Sequence, residues 1–189
     1  MISQWAYFSR FLRELKPEAE LLSAGIFHPP RAEDLTLWIR QAMRSGAEAP
    51  WISSWGGDIV RLIRQGQVPG LFRRCAASME RRAALEVLET LGEEMPERLW
   101  AGTRYWFRWL ETPAHQRFMG SYLQRYGRYP SYGPQNAYLC LRLLAGMIWR
   151  AGTLEPEVFI PCLEGIRYEA PMGRIALRGE DHQGVADAV

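Results

Sequence analysis

Apolar residues recur every three or four positions over residues 5–15, where Trp5, Phe8, Leu12 and Leu15 fall on one side of a helix. Lys16-Pro17 closes that pattern, because proline has no N–H to donate and disfavours helix in the residue before it. Residues 20–27 form a short apolar run stopped by Pro29-Pro30, the spacing of a buried strand. Asp34 stands where it can cap a helix over residues 35–45, with Leu35, Trp38, Ile39 and Met43 on one face and Gly46 after it. A second strand is expected at residues 50–55, then Gly56-Gly57 and a helix over 58–65. Residues 71–77 give a third strand, 80–91 a helix, and 99–107 a fourth strand of mixed apolar and aromatic residues. Apolar run, turn and amphipathic helix in alternation predict βαβ units and a parallel sheet with helices on both faces.

From Pro113 the pattern becomes helical, over residues 114–126, 135–150 and 156–164. The middle one is apolar on most sides (Ala137, Leu139, Cys140, Leu141, Leu143, Leu144, Met147, Ile148), so it needs partners around much of its circumference. Pro156 suits a first helical turn, where the N–H that proline lacks has no partner anyway. Residues 166–177 hold two short strands around Pro171 and Gly173. The predicted class is α/β: a parallel-sheet βαβ lobe followed by a mainly helical second part.

Composition narrows the function. The 189 residues are 48% hydrophobic and 23% charged, enough to bury a core. The net charge is +2 and Lys16 is the single lysine. The arginines are interspersed with Asp and Glu along the chain as a whole, which argues against nucleic acid as a partner. Cys75, Cys140 and Cys162 are odd in number and far apart, neither a zinc pattern nor a disulfide framework. Arginines and Glu14 interrupt the N-terminal sixteen residues, which therefore do not read as an export signal. No stretch of about 18 uncharged apolar residues is present, so no membrane insertion is expected.

Chemistry concentrates at residues 51–58, W-I-S-S-W-G-G-D, the end of a strand and the start of a helix. Open α/β sheets bind ligands beyond the carboxyl ends of their strands, and a helix N-terminus offers free N–H groups. Trp55, Gly56 and Asp58 are the candidates, and Gly56-Gly57 would let a ligand approach the backbone closely. Trp55 as a core anchor and Asp58 as a plain cap are the structural alternatives. Tyr122, Tyr126, Tyr129 and Tyr132 read best as aromatic packing at a helix corner. Asp181-His182 has no third catalytic partner, and His28 and His115 lie elsewhere in the sequence. Neither G-x-S-x-G, H-E-x-x-H, a P-loop nor G-x-G-x-x-G occurs. No enzyme, cofactor or metal site is expected.

Four motifs in fixed order carry a resemblance: Y-x-x-R-Y-G-x-x-P-S from Tyr122, A-G-T-x-x-P-E from Ala151, L-E-G from Leu163, and D-H-Q from Asp181. Together they resemble the C-terminal portion of type I periplasmic substrate-binding proteins, the receptors of branched-chain amino acid and amide ABC importers. The resemblance implies two lobes crossed three times by the chain, with the ligand in the cleft between them. Residues 1–112 would belong to the second lobe, 113–168 to a helical section of the first, and 169–189 to a return onto the second. Most of the first lobe would lie upstream of Met1, making the chain a truncated fragment. The resemblance also places an aromatic ligand contact at Trp55 and an acidic or hydroxyl group for the ligand's ammonium at Ser78 or Glu80. There the structural alternative is that Ser78 caps the following helix and Glu80 favours its dipole. Tyr105 is a further cleft candidate against core packing. The implied partners are a small polar ligand (amino acid, amide or urea-like) and a membrane permease. The implied place is the periplasm, although without an export signal the chain as written stays in the cytoplasm. The alternative is a cytoplasmic amide- or amino-acid-sensing regulator of the same fold. Self-association through an exposed apolar face of the middle helix is expected if the first lobe is missing.

Overall fold

The computed structural model describes residues 2–22, 25–79 and 85–186, and divides into two compact units, Met1–Gly102 and Thr103–Val189.

In the first unit, α1 (Ile2–Leu15) half-buries Trp5, Phe8 and Leu12 as the spacing predicts, while Leu15 is exposed beyond the packed turns. Phe8 stacks on Trp51 with ring centroids 4.4 Å apart. α2 (Thr36–Arg44) buries Leu35 and Ile39, and Asp34 Oδ1 accepts the Thr36 N–H at 2.8 Å. The Thr36 hydroxyl first, and then that bond, hold the Asp34 carboxyl below its ordinary value. Gln65 ties α2 to α3 (Gly57–Gln67) by accepting the Leu35 N–H and donating to Glu33 O, both at 2.7 Å.

Three parallel strands follow: β1 (Trp51–Ile52), β2 (Ala77–Met79) and β3 (Leu99–Ala101), in the order β1-β2-β3. α3 with the short α4 (Leu71–Arg74) connects the first pair, and α5 (Leu85–Leu91) the second. Alternation along a strand sorts the residues by face. Ile52, Ala77 and Met79 point into a core made with Ile59, Ile63, Leu71, Phe72, Val87 and Leu91. Trp51, Ser78 and Trp100 share the other face by register, where α1 covers Trp51 while Ser78 and Trp100 are exposed.

Three strand expectations are corrected. Residues 20–22 and 25–27 form no strand. Gly25 turns at φ 111°, and Leu22 and Phe27 are exposed instead of joining a sheet. The run at 71–77 opens as helix: after Gly70 (φ 82°) one turn buries Leu71 and Phe72, and the chain extends only from Cys75. A short apolar run does not by itself distinguish strand from buried helix. The expected strand at 99–107 pairs only through Ala101. Gly102 still donates to Met79 O, but Tyr105 is committed to the interior of the second unit.

The second unit begins with a loop to Thr112, whose Oγ1 accepts the His115 N–H at 3.2 Å and caps α6 (Pro113–Tyr126), with Pro113 in the first turn. Gly127 at φ 65° ends it, its N–H on Leu123 O. α7 (Tyr132–Ala151) starts three residues before the expected position and stops at Gly152 (φ 69°), and α8 (Pro156–Leu163) follows. β4 (Arg167–Ala170), β5 (Gly173–Leu177) and β6 (Gly184–Ala186) form an antiparallel sheet in that order, the last strand unforeseen from the sequence. Leu139 and Leu143 pack on Ala170 and Ile175 of that sheet. Another side of α7 stays wet: Leu141 is 67% exposed, with Leu144 and Trp149 also outside.

Candidate ligand-binding edge

The carboxyl end of β1 runs straight into α3 through Ser53, Ser54, Trp55 and Gly56. Gly56 sits at φ 56°, ψ −126°, a conformation closed to residues with a Cβ. A Cβ placed on Gly56 or Gly57 would meet nothing within 4 Å, so the backbone there faces open space. Asp58 N–H bonds Trp55 O at 3.1 Å, and the Gly56 carbonyl receives Ile59 and Val60. The N–H groups of Gly56 and Gly57 have no acceptor among the described residues. Trp55 stands beside them with its side chain in solvent, 65% exposed, so it is not a core anchor.

Asp58 lies inside the first turn of α3, not at its cap, which is Gly56. Its Oδ2 accepts the Arg31 backbone N–H and its Oδ1 the Arg61 guanidinium, each at 3.0 Å. Arg31 has φ 63°, uncommon without glycine, and the Asp58 acceptor helps to hold it there. Both carboxylate oxygens are thus engaged in building the edge.

One residue that sequence reasoning set aside belongs to this edge. His28 Nδ1 faces Pro29 O at 2.9 Å, so Nδ1 carries the proton and Nε2 accepts the Ser54 hydroxyl at 3.1 Å. Ser53 donates to Gln4 Oε1 at 2.8 Å, which moors the same loop to α1. Nothing in the local sequence around His28 marks it, because the contact spans 26 residues.

Ser78 lies in the middle of β2, exposed on the sheet face it shares with Trp51 and Trp100. Glu80 lies outside the described residues. Tyr105 is 3% exposed in the second unit, packed on His115 and Phe118, and burial pushes its hydroxyl's pKa up. Asp181 pairs with Arg178 and His182 faces Glu164 at 2.9 Å, so the two are held by separate partners at the surface. A cleft of about 390 Å³ in the first unit, lined by Phe72, Arg73, Glu93, Met95 and Arg98, sits at the amino ends of β2 and β3, the wrong end for a sheet-edge ligand. Among the described residues no group of three His, Cys, Asp or Glu could hold a metal, and no helix is long and apolar enough to cross a membrane.

The family model described as periplasmic binding protein matches residues 3–189. The chain belongs to that family. Members are binding proteins rather than enzymes, and the α/β fold with its parallel sheet is the one their structures share. An amino acid ABC transporter substrate-binding protein from Pseudomonas fluorescens Pf-5 superposes with a TM-score of 0.83 at 19% identity, over 95% of this chain and 48% of its own. A leucine binding protein from Thermotoga maritima MSB8 gives 0.76 at 20%, over 87% and 46%. A branched-chain amino acid transporter substrate binding protein from Streptococcus pneumoniae, solved with isoleucine, gives 0.71 at 15%, over 84% and 44%. At these identities the likeness is one of fold. The chain spans about half the length of these binding proteins. No curated protein sequence matches it.

Proposed function

We propose that this periplasmic binding protein chain supplies one side of the solute site of an ABC importer receptor for branched-chain amino acids, amides or similar small polar ligands. The observation that carries the reading is the family match over residues 3–189, joined to an edge where Trp55 and two open glycines lie at the carboxyl end of a parallel strand. Trp55 would lie against the ligand and the Gly56–Gly57 backbone would approach its polar end, with Asp58 setting the edge and Ser78 and Glu80 as further candidates. The environment of Tyr105 supports a structural role for that residue. In this reading residues 1–112 belong to the second lobe, 113–168 to the helical part of the first, and 169–189 to the return. The remaining half of the fold completes the cleft, the two lobes close on the ligand, and the closed form docks on a permease at the periplasmic face.

Calorimetric titration with leucine, isoleucine, valine, acetamide and urea tests this. Hydrogen bonds to charged groups contribute roughly 1.5–3 kcal/mol each, and about three would come from the other half. A micromolar receptor starts near −8 kcal/mol, so this chain alone should bind at or beyond millimolar. Binding should appear when the matching first half is supplied, and weaken with Trp55→Ala. Micromolar binding by the 189 residues themselves would show that the site is complete without a second half. Self-association through the exposed side of α7 is part of the same reading, and sedimentation of the isolated chain reads it directly.

A further inference from the structure

The chain's slight positive charge is concentrated in one place. Residues 103–129 hold five arginines (104, 108, 117, 125, 128) against one acid, Glu111, a net +4 in a chain whose total is +2. The same stretch carries eight of its aromatic residues, including R-Y-W-F-R-W from Arg104. The fold gathers part of it into one surface. Gly127 turns the chain at the end of α6, and Tyr129 comes back to stack on Phe107 with centroids 4.1 Å apart and planes 15° apart. The Arg108 guanidinium lies 5.7 Å from the Phe107 ring centre, and Arg125 lies 5.8 Å from that of Tyr126. Arg128 adjoins Tyr129, and Trp109, 51% exposed, adjoins Arg108.

Arg10, Arg61, Arg64, Arg174 and Arg178 each pair with a carboxylate. Among the described residues, Arg104, Arg108, Arg125 and Arg128 pair with none. Among the described residues, arginines without a carboxylate partner also occur elsewhere, Arg73, Arg142 and Arg167 among them, so what marks this surface is the density of such cations among aromatic rings. Four exposed, uncompensated guanidinium groups set among Trp and Tyr have the composition of a surface that meets a membrane interface. There arginine attracts anionic headgroups and aromatic rings settle at headgroup depth. Single-stranded nucleic acid would use the same charge but needs open ring faces for base stacking. Here Phe107 and Tyr129 cover each other, and Tyr126 is taken by Tyr122 and Arg125.

We infer that the surface formed by Arg108, Trp109, Arg125, Tyr126, Arg128 and Tyr129 binds peripherally to an anionic lipid bilayer. The inference does not rest on the solute-receptor reading, since vesicle binding uses no solute and solute titration no vesicle.

The experiment is co-sedimentation of the full chain with vesicles of about 30% phosphatidylglycerol in phosphatidylcholine, and with phosphatidylcholine alone, at low salt and at about 0.3 M salt. The chain should partition onto the anionic vesicles, weakly onto neutral ones, and lose affinity with salt. Each arginine near such a surface is worth about fivefold, so R108Q/R125Q/R128Q should lower the partition coefficient about a hundredfold. R174Q/R178Q, which removes two paired arginines, should leave it unchanged, and R108K/R125K/R128K should keep it. Equal binding to neutral and anionic vesicles would overturn the proposal, as would a glutamine triple variant that binds like the parent or a lysine triple variant that does not bind. Tighter binding to a single-stranded oligonucleotide at the same salt, lost in the glutamine variant, would make nucleic acid the partner instead.

Discussion

His115 sets a sharp test of how the second unit is held together. The ring is 2% exposed in the first turn of α6, with Nε2 2.9 Å from Phe107 O and Nδ1 3.1 Å from Pro171 O. A neutral imidazole has one N–H to give, so the ring donates to one of these two carbonyls and packs against the other, between the loop ahead of α6 and the β4–β5 turn. In His115→Phe no ring N–H remains, and a buried carbonyl left without its donor costs about 1–3 kcal/mol. The bulkier phenyl ring adds an overpacking cost of about 1–3 kcal/mol in a site closed by Tyr105 and Phe118. The expected loss is about 2–5 kcal/mol, read as a fall in the urea midpoint with little change in slope. Tyr105→Phe removes only a 3.4 Å contact to the same ring and should cost well under half as much. His115→Gln keeps an amide donor and should recover part of the loss. Hydrogen exchange at residues 106–109 should quicken in His115→Phe before it does so in α7. If His115→Phe were neutral, or no worse than Tyr105→Phe, the ring's hydrogen bond to a buried carbonyl would not be what holds this neighbourhood together.

Two further outcomes follow from the packing and the ion chemistry. Leu143→Ala, which empties a buried position against the antiparallel sheet, should cost about 2–5 kcal/mol in thermal or urea unfolding. Leu141→Ala, two residues earlier on the wet side of the same helix, should be close to neutral. The Asp34 and Glu94 carboxyls are both held below their ordinary values, first by the Thr36 hydroxyl bond and by the Arg64 guanidinium bond respectively. A depressed carboxyl contributes stability above its unfolded value and loses it as pH falls through the folded one. The gap between parent and Asp34→Asn should thus be full at neutral pH and close as the pH drops below 3.8; a gap that stayed constant down to pH 2 would contradict it.

The pattern along the chain determined a good deal by itself, because it needs only neighbours within one or two turns. Apolar spacing at Trp5, Phe8 and Leu12 defines α1, the helical pattern from Pro113 onward announces the two long helices, and alternation with short apolar runs announces a parallel sheet. The tryptophan at the end of β1 and the two glycines after it are visible for the same reason. Apolar content alone does not say whether Leu71–Arg74 winds or extends, since a buried helical turn and a buried strand satisfy the hydrophobic effect equally; packing of Leu71 and Phe72 on α3 settled it. Contacts across long loops were decided only by the tertiary structure. His28 meets Ser54 over 26 residues and His115 meets Pro171 over 56, and both read in isolation as stray histidines. A side chain's hydrogen-bond partner is a property of the folded neighbourhood, so the sequence can offer the donor but not the acceptor.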